Sequence, residues 1–178
     1  DGIDADKLAH IMEIKNVNYG RIGDYVKKYP NAKFVAGKRP WEVKCDIALP
    51  CATQNELNEE EAKMLVKNGC ICVAEGANMP STPEAVEVFL KAKILFAPGK
   101  ASNAGGVATS GLEMSQNSLR LSWSSEEVDQ KLHQIMVNIH ENAKKAAEEN
   151  GLGYDLVKGA NIAGFLKVAE AMYLQGNY

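Results

Sequence analysis

Three short apolar runs punctuate the middle of the chain: Asp46-Ile-Ala-Leu49, Cys70-Ile-Cys-Val-Ala74 and Lys93-Ile-Leu-Phe-Ala97. None alternates with polar residues, and each stops at breakers: Pro50, Glu75-Gly76 and Pro98-Gly99. They recur about 25 residues apart. A run of this kind reads as a strand covered on both faces. Between the runs lie Asn58–Asn68 and Pro83–Ala92, both with helical periodicity. Thr82 before Pro83 supplies an N-cap followed by proline at the first helical position. Strand, helix, strand, helix, strand predicts consecutive βαβ units and a parallel sheet.

The flanks read differently. Ahead of the runs, Asp4 or Asp6 caps a predicted helix with Leu8, Ile11, Met12 and Val17 turned inward. A second short helix is expected from Ile22 to Lys28, and a short strand at Lys33-Phe-Val-Ala36. After Ala101 the pattern is helical throughout. Ala104–Leu121 forms one helix. Ser125–Glu149 forms the next, with Val128, Leu132, Ile135, Ile139, Ala143 and Ala146 on one stripe. Their spacings of 4, 3, 4, 4 and 3 fit a 3.6-residue turn. Gly151 and Gly153 end it. A last helix, Tyr154–Leu174, carries Phe165, Val168, Ala169 and Met172.

Composition narrows the class. The chain has 178 residues, 46% hydrophobic and 24% charged, enough to bury a core without disulfides or metals. Twenty Lys+Arg against 23 Asp+Glu leave a net charge of −3, so no basic surface for nucleic acid is expected. No apolar run reaches the ~20 residues of a membrane-spanning helix. The chain opens at Asp1 with neither initiator Met nor signal peptide, which suggests a mature, trimmed or partial chain. Cys45, Cys51, Cys70 and Cys72 have no nearby histidine, and Cys70-Ile-Cys72 is too tight for a zinc knuckle. Four reduced, mostly buried thiols and no metal are expected. His10, His133 and His140 fall on predicted helices and read as surface or packing residues.

Ligands of open parallel α/β sheets bind at the carboxyl ends of the strands. Here those ends read Pro50-Cys-Ala-Thr-Gln-Asn55, Glu75-Gly-Ala-Asn-Met-Pro80 and Pro98-Gly-Lys-Ala-Ser-Asn-Ala-Gly-Gly106. Amide and hydroxyl side chains and glycine dominate. Such a mix suits hydrogen bonds to a neutral amide or a ribose, although Asn, Gly and Pro also simply make turns. Asn103, Val107 and Ser110 stand at i, i+4 and i+7 and share a helix face if Asn103 lies at the helix start. Gly105 and Gly106 allow close approach to the backbone, and free N–H groups at that start favour a carboxylate. Lys100, just before, reads as a solvated loop lysine. The fingerprint G-x-G-x-x-G, a phosphate-binding loop, H-E-x-x-H and G-x-S-x-G are all absent. The residues alone give part of a nucleotide-binding α/β domain with a polar crevice and a helical tail, but no reaction.

Five segments resemble the glutamate dehydrogenases of the hexameric small-subunit type. They are Pro50-Cys-Ala-Thr-Gln-Asn-Glu56, Ala74-Glu-Gly-Ala-Asn78, Phe96-Ala-Pro-Gly-Lys100, Asn103-Ala-Gly-Gly-Val-Ala-Thr-Ser-Gly-Leu-Glu113 and Gly159-Ala-Asn-Ile-Ala-Gly-Phe165. The resemblance runs over essentially the whole chain. It implies a carboxyl-terminal piece of a subunit more than twice as long. Residues 1–100 would be the later part of a Rossmann-like dinucleotide-binding domain, a parallel sheet with helices on both faces. Residues 101–178 would be a pivot helix and C-terminal helices packing on the same domain.

The glycine fingerprint and the catalytic lysine and aspartate of the family would lie outside this chain. The resemblance implies that Ala52, Thr53, Gln54, Asn78 and Asn103 line the cofactor crevice, and that Val107 and Ser110 meet the substrate. It further implies a reversible NADP-dependent (or NAD-dependent) oxidative deamination of L-glutamate to 2-oxoglutarate and ammonium in a cytoplasmic homohexamer. The fragment alone should be inactive. A sister dehydrogenase for leucine, phenylalanine or valine, or a non-catalytic nucleotide-binding module, remains the alternative reading.

Overall fold

In the computed structural model, residues 2–176 are described, and the chain divides into two compact units at Arg39/Pro40.

The first unit is built from α1 (Ala5–Met12), a π-turn (Glu13–Val17), a 3₁₀ turn (Ile22–Asp24) and α2 (Tyr25–Lys28). Asp4 caps α1, its Oδ1 accepting the Lys7 N–H at 2.9 Å. The rings of Tyr25 and Tyr29 stack with centroids 4.8 Å apart, and His10 meets Tyr29 edge-on at 5.8 Å. Two expectations fail here. Leu8, Met12 and Val17 are exposed, whereas Ile14 is buried and Ile11 half-buried. The π-turn inserts an extra residue and rotates the apolar face away from Val17, and so small a unit cannot cover both sides of a helix. Lys33–Ala36 is not a strand. Among the described residues no strand pairs with it, and Gly37 at φ +71° turns the chain.

The second unit holds β1 (Ile47–Ala48), α3 (Glu59–Lys67), β2 (Cys72–Ala74), α4 (Pro83–Ala92), β3 (Leu95–Ala97), α5 (Gly99–Ser102), α6 (Gly105–Leu119), α7 (Ser125–Glu149) and α8 (Leu156–Gln175). The strands form a parallel sheet in the order β1-β2-β3. Ile47, Cys72 and Leu95 share one register level, and Ala48, Val73 and Phe96 the next. The α/β architecture with a helical carboxyl-terminal part is therefore the one expected. Thr82 Oγ1 caps α4 by accepting the Ala85 N–H, and Asn58 and Ser124 form capping boxes with Glu61 and Glu127.

One face of the sheet is covered by α3 and α4. There Ala48, Val73 and Phe96 pack with Leu57, Ala62, Leu65, Ala85 and Phe89. The rings of Phe89 and Phe96 lie 5.5 Å apart. Toward the other face, Ala97 lines an apolar cavity of about 180 Å³ with Ala101, Met136, Ile139 and Leu156, so α7 and α8 approach that side. Further along it, Ile47, Leu49 and Leu95 remain exposed. The predicted stripe of α7 faces inward, with Ala143 and Ala146 buried and the other four half-buried. Gly159 is where α8 crosses α7: a Cβ there would sit 2.0 Å from the Ala143 carbonyl oxygen. The α8 residues Phe165, Val168 and Met172 are exposed, and only Ala169 of the expected set is half-buried.

The thiols correct another expectation. All four are free, but only Cys70 is buried; Cys45 and Cys72 are half-buried and Cys51 is exposed. Burial first, and the neighbouring Cys70 second, push the Cys45 and Cys72 thiols above the ordinary range. Neither is therefore a ready nucleophile. Among the described residues no helix is long and apolar enough to cross a membrane, and no group of His, Cys, Asp and Glu could hold a metal ion.

Candidate cofactor crevice

The three strand ends converge at the carboxyl edge of the sheet, where parallel strands leave room for a ligand. Main-chain bonds sew their loops together. Gly76 and Ala77 donate to the Pro50 carbonyl at 3.0 and 3.1 Å. Asn55 N–H donates to the Met79 carbonyl at 2.9 Å, and Leu57 to that of Pro80 at 2.9 Å. Asn55 (φ +55°) and Met79 (φ +49°) both stand in the left-handed region. Asparagine tolerates that conformation, whereas for methionine it is an outlier held by its surroundings. Gly76 packs against Cys51, whose Sγ lies 2.5 Å from where a Cβ would stand.

Two buried carboxylates brace the loops from behind. Glu56 Oε1 accepts the Ala52 N–H at 2.8 Å and the Thr53 N–H at 3.3 Å, so the first loop curls over a side chain. The Glu56 carbonyl accepts the indole N–H of buried Trp41 at 3.0 Å. Glu75 Oε1 accepts the Ser81 N–H at 3.2 Å, and its Oε2 accepts the Gly99 N–H at 2.5 Å. Ser102 Oγ donates to the Glu75 carbonyl at 2.5 Å. The Ser81 hydroxyl is buried and has no partner among the described residues.

The residues singled out from the sequence fall around this edge. Ala52, Thr53 and Gln54 lie exposed on the first loop and Asn78 on the second. Asn103 is half-buried at the end of α5, and its Nδ2 donates to the Ala77 carbonyl at 3.1 Å. That bond joins the second and third loops and fixes the amide. Val107 and Ser110 are exposed on the first two turns of α6. The Ser110 hydroxyl donates back to the Gly106 carbonyl at 3.3 Å, leaving its lone pairs toward solvent. A Cβ at Gly105 or Gly106 would meet nothing, so the start of α6 is open to a ligand. Lys100 is not simply solvated: its Nζ donates to Asn161 Oδ1 on α8 at 2.7 Å.

The sequence reading missed Glu56, Glu75, Ser102 and the Lys100–Asn161 tie as structural members of the edge. Glu75 was visible only as the residue ending an apolar run ahead of glycine. Nothing in that pattern says that its carboxylate turns inward.

Neutral amide and hydroxyl groups, fixed from behind, suit a carboxamide and a ribose. A glycine-rich phosphate cradle is absent from this chain.

These features define a class. The model of the glutamate/leucine/phenylalanine/valine dehydrogenase family matches residues 1–176, and the chain belongs to that family. Within it, the chain is similar to a glutamate dehydrogenase of Bacteroides thetaiotaomicron, 64% identical over 176 residues, covering 99% of this chain and 39% of that protein. It is also 64% identical over 178 residues to an NAD(P)-specific glutamate dehydrogenase of Xylanibacter ruminicola, covering all of this chain and 40% of that one. A crystal structure of Plasmodium falciparum glutamate dehydrogenase superposes with a TM-score of 0.94 at 48% identity, over 99% of this chain and 38% of that one. The chain thus spans about 40% of the length of the relatives it matches. Other relatives are named NAD-specific or NADP-specific.

Proposed function

We propose that this chain is the nicotinamide-side part of the cofactor crevice of an NAD(P)-dependent glutamate dehydrogenase. The whole protein would interconvert L-glutamate with 2-oxoglutarate and ammonium. The observation that carries the reading is the fixed amide of Asn103, tied to the Ala77 carbonyl amid the exposed Thr53, Gln54 and Asn78. The similarity to glutamate dehydrogenases supports the substrate.

The nicotinamide, when bound, supplies the hydride chemistry. The residues here orient. Asn103 would present its amide to the carboxamide or its ribose. Ala52, Thr53, Gln54 and Asn78 would line the same wall. Ser110, once turned from Gly106, would donate to a substrate carboxylate, with Val107 packing beside the carbon chain. A polar hydroxyl at that position suits glutamate better than leucine, phenylalanine or valine, whose side chains ask for an apolar partner. No proton-transfer role is assigned to a residue of this chain. NADP is the preferred coenzyme in this reading, NAD the second choice, and a cytoplasmic homohexamer the working assembly.

The test is a reductive-amination assay on the full-length protein. Oxidation of NADPH and of NADH is followed with 2-oxoglutarate and ammonium, and leucine, phenylalanine and valine are offered in the reverse direction. Turnover confined to the glutamate pair, with Ser110→Ala raising the KM for 2-oxoglutarate about tenfold or more, is expected. Turnover with an apolar amino acid, or none at all from folded protein, rejects the reading. The 178-residue chain alone should show no turnover, since the cofactor's phosphates lack their cradle.

A further inference from the structure

Glu75 stands at the carboxyl end of β2, the central strand, and its residue is only 6% exposed. Every hydrogen-bonding group it has is committed to the neighbouring chain. Its N–H donates to the Ala97 carbonyl at 3.1 Å. Its carbonyl takes the Ser102 hydroxyl, and its two carboxylate oxygens take the N–H groups of Ser81 and Gly99. One residue thereby holds the far end of the second loop and the first and last residues of α5.

Asn103 depends on both of these. Its main-chain N–H donates to the Gly99 carbonyl at 2.9 Å, and its side-chain amide donates to the Ala77 carbonyl. Gly99 is the residue that Glu75 Oε2 grips, and Ala77 is two residues beyond Glu75. The approach is close enough that a Cβ on Gly99 would lie 3.1 Å from both the Ala77 oxygen and Glu75 Oε2. We propose that Glu75 is a positioning residue for the nicotinamide side of the crevice, acting through Gly99 and Ala77 on the amide of Asn103. The inference rests on the cofactor reading above.

The chemistry makes the carboxylate hard to replace. Two N–H groups point at it from different elements, and each needs an acceptor. A carboxylate offers one oxygen to each. An amide offers one oxygen, so Glu75→Gln must turn an NH₂ toward one of the N–H donors. The side chain keeps its length, so the sheet and core are retained while one grip is lost.

The experiment uses the full-length protein and two probes. One is the reduced coenzyme that the wild type uses. The other is the matching ADP-ribose, with 2′-phosphate if the coenzyme is NADPH, which lacks nicotinamide. Glu75→Gln should weaken the coenzyme about tenfold, the worth of one charge-assisted bond. ADP-ribose should bind as before, and Glu75→Asp should restore only part of the loss. Ser102→Ala, which removes the hydroxyl's bond to the Glu75 carbonyl along with its longer contacts to the Ala97 and Pro98 carbonyls, should shift the same ratio in the same direction. It decides the matter if Glu75→Gln does not fold. Equal weakening of both probes, or no change in either, overturns the proposal. A wild type that lacks glutamate-dependent turnover but binds coenzyme would sink the enzymatic reading and leave this one standing on the binding data.

Discussion

Ser81 donates its backbone N–H to Glu75, yet its buried hydroxyl finds no partner among the described residues. A buried hydroxyl with nothing to bond is a liability of about 1 kcal/mol or more. Ser81→Ala should therefore leave stability unchanged or raise it by up to ~1 kcal/mol in urea unfolding. A loss above that would mean that an ordered water bonds the hydroxyl. Single residues were also where the sequence was least legible. The strand-end loops announced themselves by their asparagines, glycines and prolines, because backbone turns demand those types. Glu56 and Glu75 did not. A glutamate carries no mark of burial: Glu56 turns in only because the first loop curls its Ala52 and Thr53 N–H groups onto it, and one of the donors to Glu75, Gly99, lies 24 residues away. Lys100 was misread for the same reason: Asn161 is remote in sequence and adjacent in space.

Elements were far more legible. The limits of α4 and α7 matched the pattern to the residue, because caps at Thr82 and Ser124 are local chemistry. The three strands shrank relative to their apolar runs, yet kept their order and parallel sense. Lys33–Ala36 failed since a strand needs a partner, and period alone cannot supply one. The α7–α8 pair shows the converse. Its crossing is set by Gly159, where a Cβ would overlap the Ala143 carbonyl. Gly159→Ala should push the helices apart and cost about 3 kcal/mol or more. Gly164→Ala, five residues along in open space, should cost nothing or add helix stability. Thermal unfolding of the two variants side by side checks this, and similar midpoints would refute the tight crossing.

At the largest scale, the sheet of the second unit is sealed on one face, and on the other it is approached by α7 and α8 only near Ala97. Ala48, Val73 and Phe96 are sealed beneath α3 and α4, whereas Ile47, Leu49 and Leu95 meet solvent. A patch of this kind promotes association between copies. Its attraction is entropic near room temperature and fades on cooling. A solution of the 178-residue chain should therefore scatter more light as it warms from ice temperature, and clear again when chilled before any unfolding. Serine at positions 47 and 49 (Ile47→Ser with Leu49→Ser) should abolish the response, and a response that survives would place the attraction elsewhere. The cold room, not the warm bench, is where this chain would stay dispersed.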